Sequence, residues 1–211
     1  MTPSTVAGRA IVRARLIGAM QTIRRVHRYT YADYCGVEMD QPHRKHEFLD
    51  GQIYAMAGGT EDHSALAAEV LRTLGNALTE GPCRAHTSDL RLYVEATGMA
   101  TFPDGSVICG PLQHHAPSPK DTALNPTVLL EVTSDSSEEH DTVTKLEAYR
   151  TIPSLRDYII VSHRERRITV HHRGADDIWT TRVAITGATI AIASVATVLV
   201  VDDIYRRSQI A

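Results

Sequence analysis

Two hydrophobic periods alternate along this chain, and the switches between them predict its elements. Pro126 to Val132 (Pro-Thr-Val-Leu-Leu-Glu-Val) is almost continuously apolar, which predicts a central strand covered on both faces. Tyr158 to Val161 predicts a second buried strand. Between them a helix is expected to run from Ser136 or Ser137 to about Thr151 and to end at Ile152-Pro153, with Glu139 placed for a capping box on Ser136. Leu66, Val70, Leu71, Leu74 and Leu78 recur at helical spacing and give one apolar face to a helix over about His63 to Leu78, capped by Thr60 or Asp62 and stopped by Gly81-Pro82. Thr30 or Asp33 caps a short helix through Tyr34.

Alternation of period two marks the remaining strands. Asp50-Gly51 accepts positive φ and predicts a hairpin between the strands around Glu47 and Ile53. His86 to Glu95 reads as one half-buried strand, with Leu90, Leu92 and Val94 on one face and Asp89, Arg91 and Tyr93 on the other. Phe102 to Cys109 is expected to run antiparallel to it, and Gly110 to Asn125 to form a surface loop. Arg167 to His171 alternates as well. Ile178 to Ile185, Thr189 to Ile192 and Thr197 to Val201 follow as short edge strands, then a helical turn over Asp202 to Arg207. The class is α/β.

Composition narrows the function classes. A chain of 211 residues suits one α/β domain, expected over residues 29–207. The formal net charge of −3 announces no global basic field for nucleic acid. Residues 1–28 form a basic extension, disordered or helical, with six arginines and no acid, and without the long apolar core of a signal peptide. Ala188 to Val201 is too short and too interrupted to span a bilayer, so no membrane association is expected. The three cysteines, Cys35, Cys83 and Cys109, are odd in number and far apart, which argues against a disulfide framework and fits a cytoplasmic location. His114-His115 and His171-His172 point to opposite faces if extended, so neither pair is a ready chelate and surface positions are expected.

One anomaly carries the chemistry. Glu131 stands inside an apolar strand, where an unpaired carboxylate is costly. Asp104 is expected on a neighbouring strand, and two close carboxylates repel unless a cation lies between them. A hard divalent ion with oxygen ligands answers both problems. Asp141, Lys145 and Tyr149 share one face of the predicted helix. Lys145 could form an exposed pair with Asp141, or could stand over the metal pocket and stabilise charge on a phosphate. His63 points inward at its helix start, either as a core histidine or at the edge of the site.

At these residues the chain resembles the Uma-two family of restriction-type endonucleases, within the PD-(D/E)XK nuclease superfamily. The matching segments are His46 to Gly59 with His63 after them, Thr87 to Arg91, and Pro103-Asp104 followed by Cys109-Gly110. They continue with Asn125 to Val132, Asp141, Lys145, Tyr149-Arg150 and Ile152 to Tyr158. The resemblance implies a restriction-endonuclease-like mixed β-sheet core flanked by helices, with extra short strands at both ends of the domain. It also implies cleavage of nucleic acid with magnesium, or manganese in its place. Asp104 and Glu131 match the family's metal-binding acids, Glu47 its acid near the domain start, and Lys145 its helix lysine. Asp104, Glu131 and Lys145 are the expected catalytic set; Asp104, Glu131 and Glu47, helped by the Val132 carbonyl, are the expected metal ligands. His63, Asp89, Asp141 and Tyr149 are accessory candidates, and Arg91 and Arg150 candidates for phosphate contact.

Three departures stand out. Thr133 occupies the place where the superfamily often carries its lysine. Gly105 replaces a branched apolar residue after Asp104, which could loosen the strand, and Ser134-Asp135 replaces Ser-Pro and adds an acid at the mouth. The expected function is a metal-dependent endonuclease acting on DNA, working as a homodimer if both strands are cut. The rival is a nuclease-like fold that no longer cuts and serves as a nucleic-acid-binding or assembly module.

Overall fold

The computed structural model describes residues 27–56, 58–118 and 122–211. The basic extension expected over residues 1–28 therefore lies, apart from its last two residues, outside the described residues. Helix α1 (Tyr31–Asp40) opens on a capping box between Thr30 and Asp33. Strands β1 (His46–Leu49) and β2 (Gln52–Ala55) form the expected hairpin, with Asp50 and Gly51 both at positive φ (47° and 76°). Helix α2 (Glu61–Ala77) is capped by Thr60 and buries Leu66, Val70 and Leu74.

The predicted strand over His86 to Glu95 is two strands, β3 (Cys83–Thr87) and β4 (Arg91–Val94). The one expected over Phe102 to Cys109 is likewise displaced into β5 (Met99–Thr101) and β6 (Gly105–Cys109). Antiparallel pairing holds in both halves, β3 with β6 and β4 with β5, but the halves belong to different sheets. The breaks at 88–90 and 102–104 face each other where the ribbon crosses between sheets. The expected surface loop contains β7 (Thr122–Ala123), which lies parallel to β4.

Next come β8 (Val128–Val132) and β9 (Asp157–Val161), parallel and wholly buried as expected. The helix between them differs from expectation. A π-helical segment, His140–Lys145, leads into α3 (Leu146–Tyr149), and the expected Ser136–Glu139 capping box is not formed. Instead Ser137 Oγ accepts from the Ser134 N–H at 3.1 Å. The chain closes with β10 (Arg167–Arg173), β11 (Trp179–Ile185), β12 (Thr189–Ile192), β13 (Thr197–Val200) and the short α4 (Val201–Ile204).

Two sheets result, ordered β2-β1-β5-β4-β7 and β11-β10-β9-β8-β6-β3, with β12-β13 as a separate hairpin. On one face of the six-stranded sheet, Val128, Leu130 and Val132 pack with α2 and the C-terminal elements. The opposite face carries Leu129, Tyr158 and Ile160 against Leu146, Tyr149 and the apolar side of the other sheet. Glu131 alternates onto this second face, between the layers. Gly105 does not loosen its strand. A Cβ there would sit 2.6 Å from Leu71 Cδ2, so a side chain of α2 fills the place that a branched residue would take.

The cysteine reading is corrected. Cys83 and Cys109 form a disulfide, because the β3–β6 register sets them directly opposite each other. An odd cysteine count hid one pair and one buried free thiol, Cys35. The argument from cysteines for a cytoplasmic location goes with it. His171 is also not a surface residue but is buried, bonding Thr181 Oγ1 through Nδ1 at 2.9 Å. Among the described residues no helix is long and apolar enough to cross a membrane.

Candidate functional site

Asp104 stands at the crossing between the two sheets, just before β6. The β6–β8 ladder reaches Gly105 opposite Leu130, and Asp104 continues it with a side chain. Its Oδ2 accepts the Val132 N–H at 2.7 Å, which ties the aspartate to the strand that carries Glu131. The same oxygen lies 3.2 Å from Nε2 of His63, in the first turn of α2. Gly59 makes room for that ring, since a Cβ there would come within 2.6 Å of His63 Nδ1. The Asp104 hydrogen bond raises the His63 pKa against the opposing effect of burial.

Glu131, 4% exposed, is the centre of a buried cluster. Its Oε1 accepts from Lys145 Nζ and from the Tyr149 hydroxyl, each at 3.0 Å. Lys145 Nζ also lies 3.0 Å from Glu47 Oε1 and 3.1 Å from Asp141 Oδ1. Glu47 comes from β1 in the other sheet, Asp141 and Lys145 from the π-helical segment. One ammonium thus faces three carboxylates drawn from three parts of the fold. Lys145 does pair with Asp141, but the pair is buried and shared with Glu131 and Glu47, not exposed.

The charges are unequal, and the protonation balance follows. Burial is the largest influence on Glu131 and raises its pKa well above the ordinary range. Lys145 opposes this, while Asp141, Asp104 and Glu47 push the same way as burial. Burial alone would strip Lys145 of its proton, but Glu131, Glu47 and Asp141 hold it there. Burial also raises Glu47, yet the Lys145 charge and hydrogen bonds from His140, Thr101 and Lys145 bring it down to about 2. Tyr149 stays a neutral donor, because burial and the neighbouring Glu131 raise its pKa. Glu131 is therefore the place where this cluster most readily takes up a proton or another cation.

The donor set suits a hard cation. Asp104 and Glu131 offer carboxylate oxygens beside a cluster short of positive charge. Among the described residues no three His, Cys, Asp or Glu side chains form a ready cage. Magnesium keeps several waters and takes one or two carboxylates, so two acids are enough for it.

Other predicted residues stand apart. Asp89 is exposed at the rim and pairs with Lys45 at 2.8 Å. Arg91 is not a surface cation: it is buried against Glu38 at 2.6 Å, with its guanidinium over the rings of Tyr34 and Phe102. Alternation put Arg91 on an exposed face, but α1 covers that face. Arg150 packs over the Trp179 ring, 5.6 Å from its centroid. The added acid, Asp135, is answered by His163 at 3.1 Å and Arg164 at 2.7 Å.

Two participants escaped the sequence reading. The Thr101 hydroxyl donates to Glu47 Oε1, and His140 Nε2 lies 3.7 Å from Glu47 Oε2. Thr101 could have been found as the polar residue interrupting a buried strand. For His140 the only signal was its place next to Asp141.

Comparisons with known proteins point one way. The family model described as "Uma2: Putative restriction endonuclease" matches residues 29–198. An uncharacterized protein of Synechocystis sp., slr1290, is 32% identical over 167 residues, 79% of this chain and 86% of the relative. A second from the same organism, sll1609, is 30% identical over 156 residues, 71% and 84%. The crystal structure of "a putative nuclease belonging to DUF820" from Anabaena variabilis matches with a TM-score of 0.63 at 17% identity. The match covers 76% of this chain and 89% of that one. The restriction-endonuclease-like mixed α/β fold is shared with it.

Proposed function

For a chain that belongs to the Uma2 family of restriction-type endonucleases, we propose metal-dependent hydrolysis of phosphodiester bonds in DNA, centred on Asp104, Glu131 and Lys145. One observation carries the reading: Lys145 Nζ reaches Glu131 at 3.0 Å from the helix side, although Thr133 fills the place where the superfamily often has its lysine. Asp104 and Glu131, with the Val132 carbonyl, would hold magnesium or manganese. When bound, the ion would polarise the phosphate and lower the pKa of a water.

The chain's own groups do the positioning. The Val132 N–H and His63 fix Asp104. Tyr149 fixes Glu131, while Thr101 and His140 fix Glu47. Glu47 and Asp141 then keep Lys145 protonated and aimed at Glu131. A fixed ammonium in a dry site stabilises charge developing on a phosphate oxygen without reorganising during the reaction.

The test is cleavage of supercoiled and linear DNA with magnesium or manganese by the wild type, Asp104→Asn, Glu131→Gln and Lys145→Met. Metal-dependent cleavage is expected, with a loss of at least ~100-fold in each variant. Thr133 in the place of the superfamily's usual lysine, with a formal net charge of −3, favours a second reading, a nuclease fold that binds without cutting. A folded wild type that binds DNA but cuts it with neither metal would establish that reading.

A further inference from the structure

Beside the acidic centre, on the same face of the six-stranded sheet, lies an open cavity of about 230 Å³. Register sets Glu131 of β8 beside Ile160 of β9, and Ile160 beside Thr169 of β10. Ile160 and Thr169 line the cavity, with Thr133, two residues beyond Glu131, and Thr142, next to Asp141. Neighbouring strands lie ~4.8 Å apart, so the cavity begins about one strand spacing from Glu131. It is within reach of the nucleotide adjoining a phosphate held there.

Polar residues line most of the cavity, although more of its exposed surface is apolar than polar, and its charges are already matched. Arg167 pairs with Glu165 at 3.1 Å, and Glu138 with Arg164 at 2.8 Å. A second phosphate would meet Glu138; a cation would meet Arg167. Ser162 Oγ accepts from the Arg164 N–H at 3.2 Å and keeps its own proton for a further partner. Among the described residues the Thr169 hydroxyl has no protein partner. His171 also borders the space; burial, with the Arg150 charge acting the same way, lowers its pKa to about 4, so it is neutral at pH 7. An uncharged ring that both donates and accepts hydrogen bonds meets every one of these groups favourably, with Ile160 for its face. The volume is below the ~300–1,000 Å³ of drug-sized sites and suits one ring system, not a base pair.

We propose that this cavity receives an unpaired nucleobase from the strand whose phosphate is held at Asp104 and Glu131, which makes single-stranded or locally opened nucleic acid the preferred substrate. The inference rests on the nuclease reading for its neighbour but not for its test. Unstacking a base costs least where the strand is already single, and a base so placed is read by its hydrogen-bonding edge.

The experiment uses single-stranded oligonucleotides with 2-aminopurine stepped through each position, with calcium in place of magnesium and under conditions without cleavage. Wild type is compared with Thr169→Ile, which suits a strand and fills the cavity. Thr142→Val, which removes a hydroxyl without changing size, carries the comparison if the first variant melts lower. The fluorescence of one position is expected to change on binding to wild type, and that change to vanish in the variant as affinity falls by about 5- to 100-fold. Free adenosine, followed by the His171 imidazole NMR signals, separates a strand's base from a free nucleoside. A shift there with no position-specific response in the oligonucleotides would overturn the strand as source. Oligonucleotides bound without any position-specific response, or not bound at all, would overturn the base site and leave cleavage to its own test. A position-specific response from a wild type that cuts nothing would uphold the base site and remove the nuclease reading.

Discussion

At the scale of single residues, the site is governed by a shortage of positive charge. Lys145 is one cation among three carboxylates, so the two sides of the cluster respond oppositely to neutralisation. Lys145→Met leaves buried acids without their partner and is expected to destabilise the fold by about 3–5 kcal/mol. Glu131→Gln keeps an oxygen for Lys145 and Tyr149 and relieves crowding of like charge. Its stability is expected within about 1 kcal/mol of wild type, or above it. Urea denaturation beside the cleavage assay separates them, since both are expected to lose the proposed activity but only one to lose stability; equal destabilisation would refute the charge argument. His171 gives a pH signature. Its pKa is depressed from 6.5 to about 4 in the folded chain, so the unfolded chain takes up a proton between those values that the folded one refuses. Stability contributed by the neutral ring is full above pH 6.5 and is lost as pH falls towards 4. At pH 5 the loss is about 1–2 kcal/mol once solvent in the adjoining cavity is allowed for. His171→Gln should therefore flatten the fall in melting temperature between pH 7 and pH 5; an unchanged slope would acquit His171.

At the scale of elements, the disulfide and the crossing ribbon matter most. Cys83–Cys109 joins the edge strand β3 to β6, whose start carries Asp104 into the site. For a separation of 26 residues, loop-closure entropy assigns the link about 3.5 kcal/mol. Replacing both cysteines by serine, or adding reductant to wild type, is expected to lower stability by about 2–4 kcal/mol, measured by denaturant titration. A reductant effect that persists in the double variant would point away from this bond. Neither feature was legible in the sequence. The break at 88–90 carries neither glycine nor proline; Pro103, which lacks an N–H for the ladder, marks the one at 102–104, but that each half pairs in a different sheet is set by packing. The π-helical segment escaped for a similar reason: Asp141 and Lys145 share a face under either helical period, so side-chain spacing did not distinguish them. What was legible was local: the Asp50-Gly51 hairpin, the Thr30 and Thr60 caps, the buried β8 and β9, and a carboxylate in β8 that demanded a partner. The identity of that partner as a buried lysine, and the burial of Arg91 under α1, depended on packing that no local pattern records.

At the scale of the whole molecule, the charge distribution sets the terms for any nucleic-acid partner. The formal charge of −3 conceals an asymmetry: residues 1–28 hold six of the 22 basic residues and none of the 25 acids. The chain from residue 29 onward thus carries 16 bases against 25 acids. Polyanionic DNA approaching Asp104, Glu131 and their neighbours meets like charge in a partly desolvated site, where screening by salt is weak. Affinity should therefore depend on a bound cation before any bond is cut. Calcium, which takes oxygen ligands as magnesium does, isolates this effect when the protein is assayed under conditions without cleavage. DNA affinity measured by fluorescence anisotropy is expected to rise at least ~10-fold from EDTA to calcium for wild type, about 1.4 kcal/mol. Asp104→Asn should lose most of that dependence. Glu131→Gln, with one buried charge fewer, should bind more tightly than wild type in EDTA and gain less from calcium. Equal affinity of all three proteins in EDTA, with equal response to calcium, would place the cation elsewhere and separate DNA binding from the acidic centre.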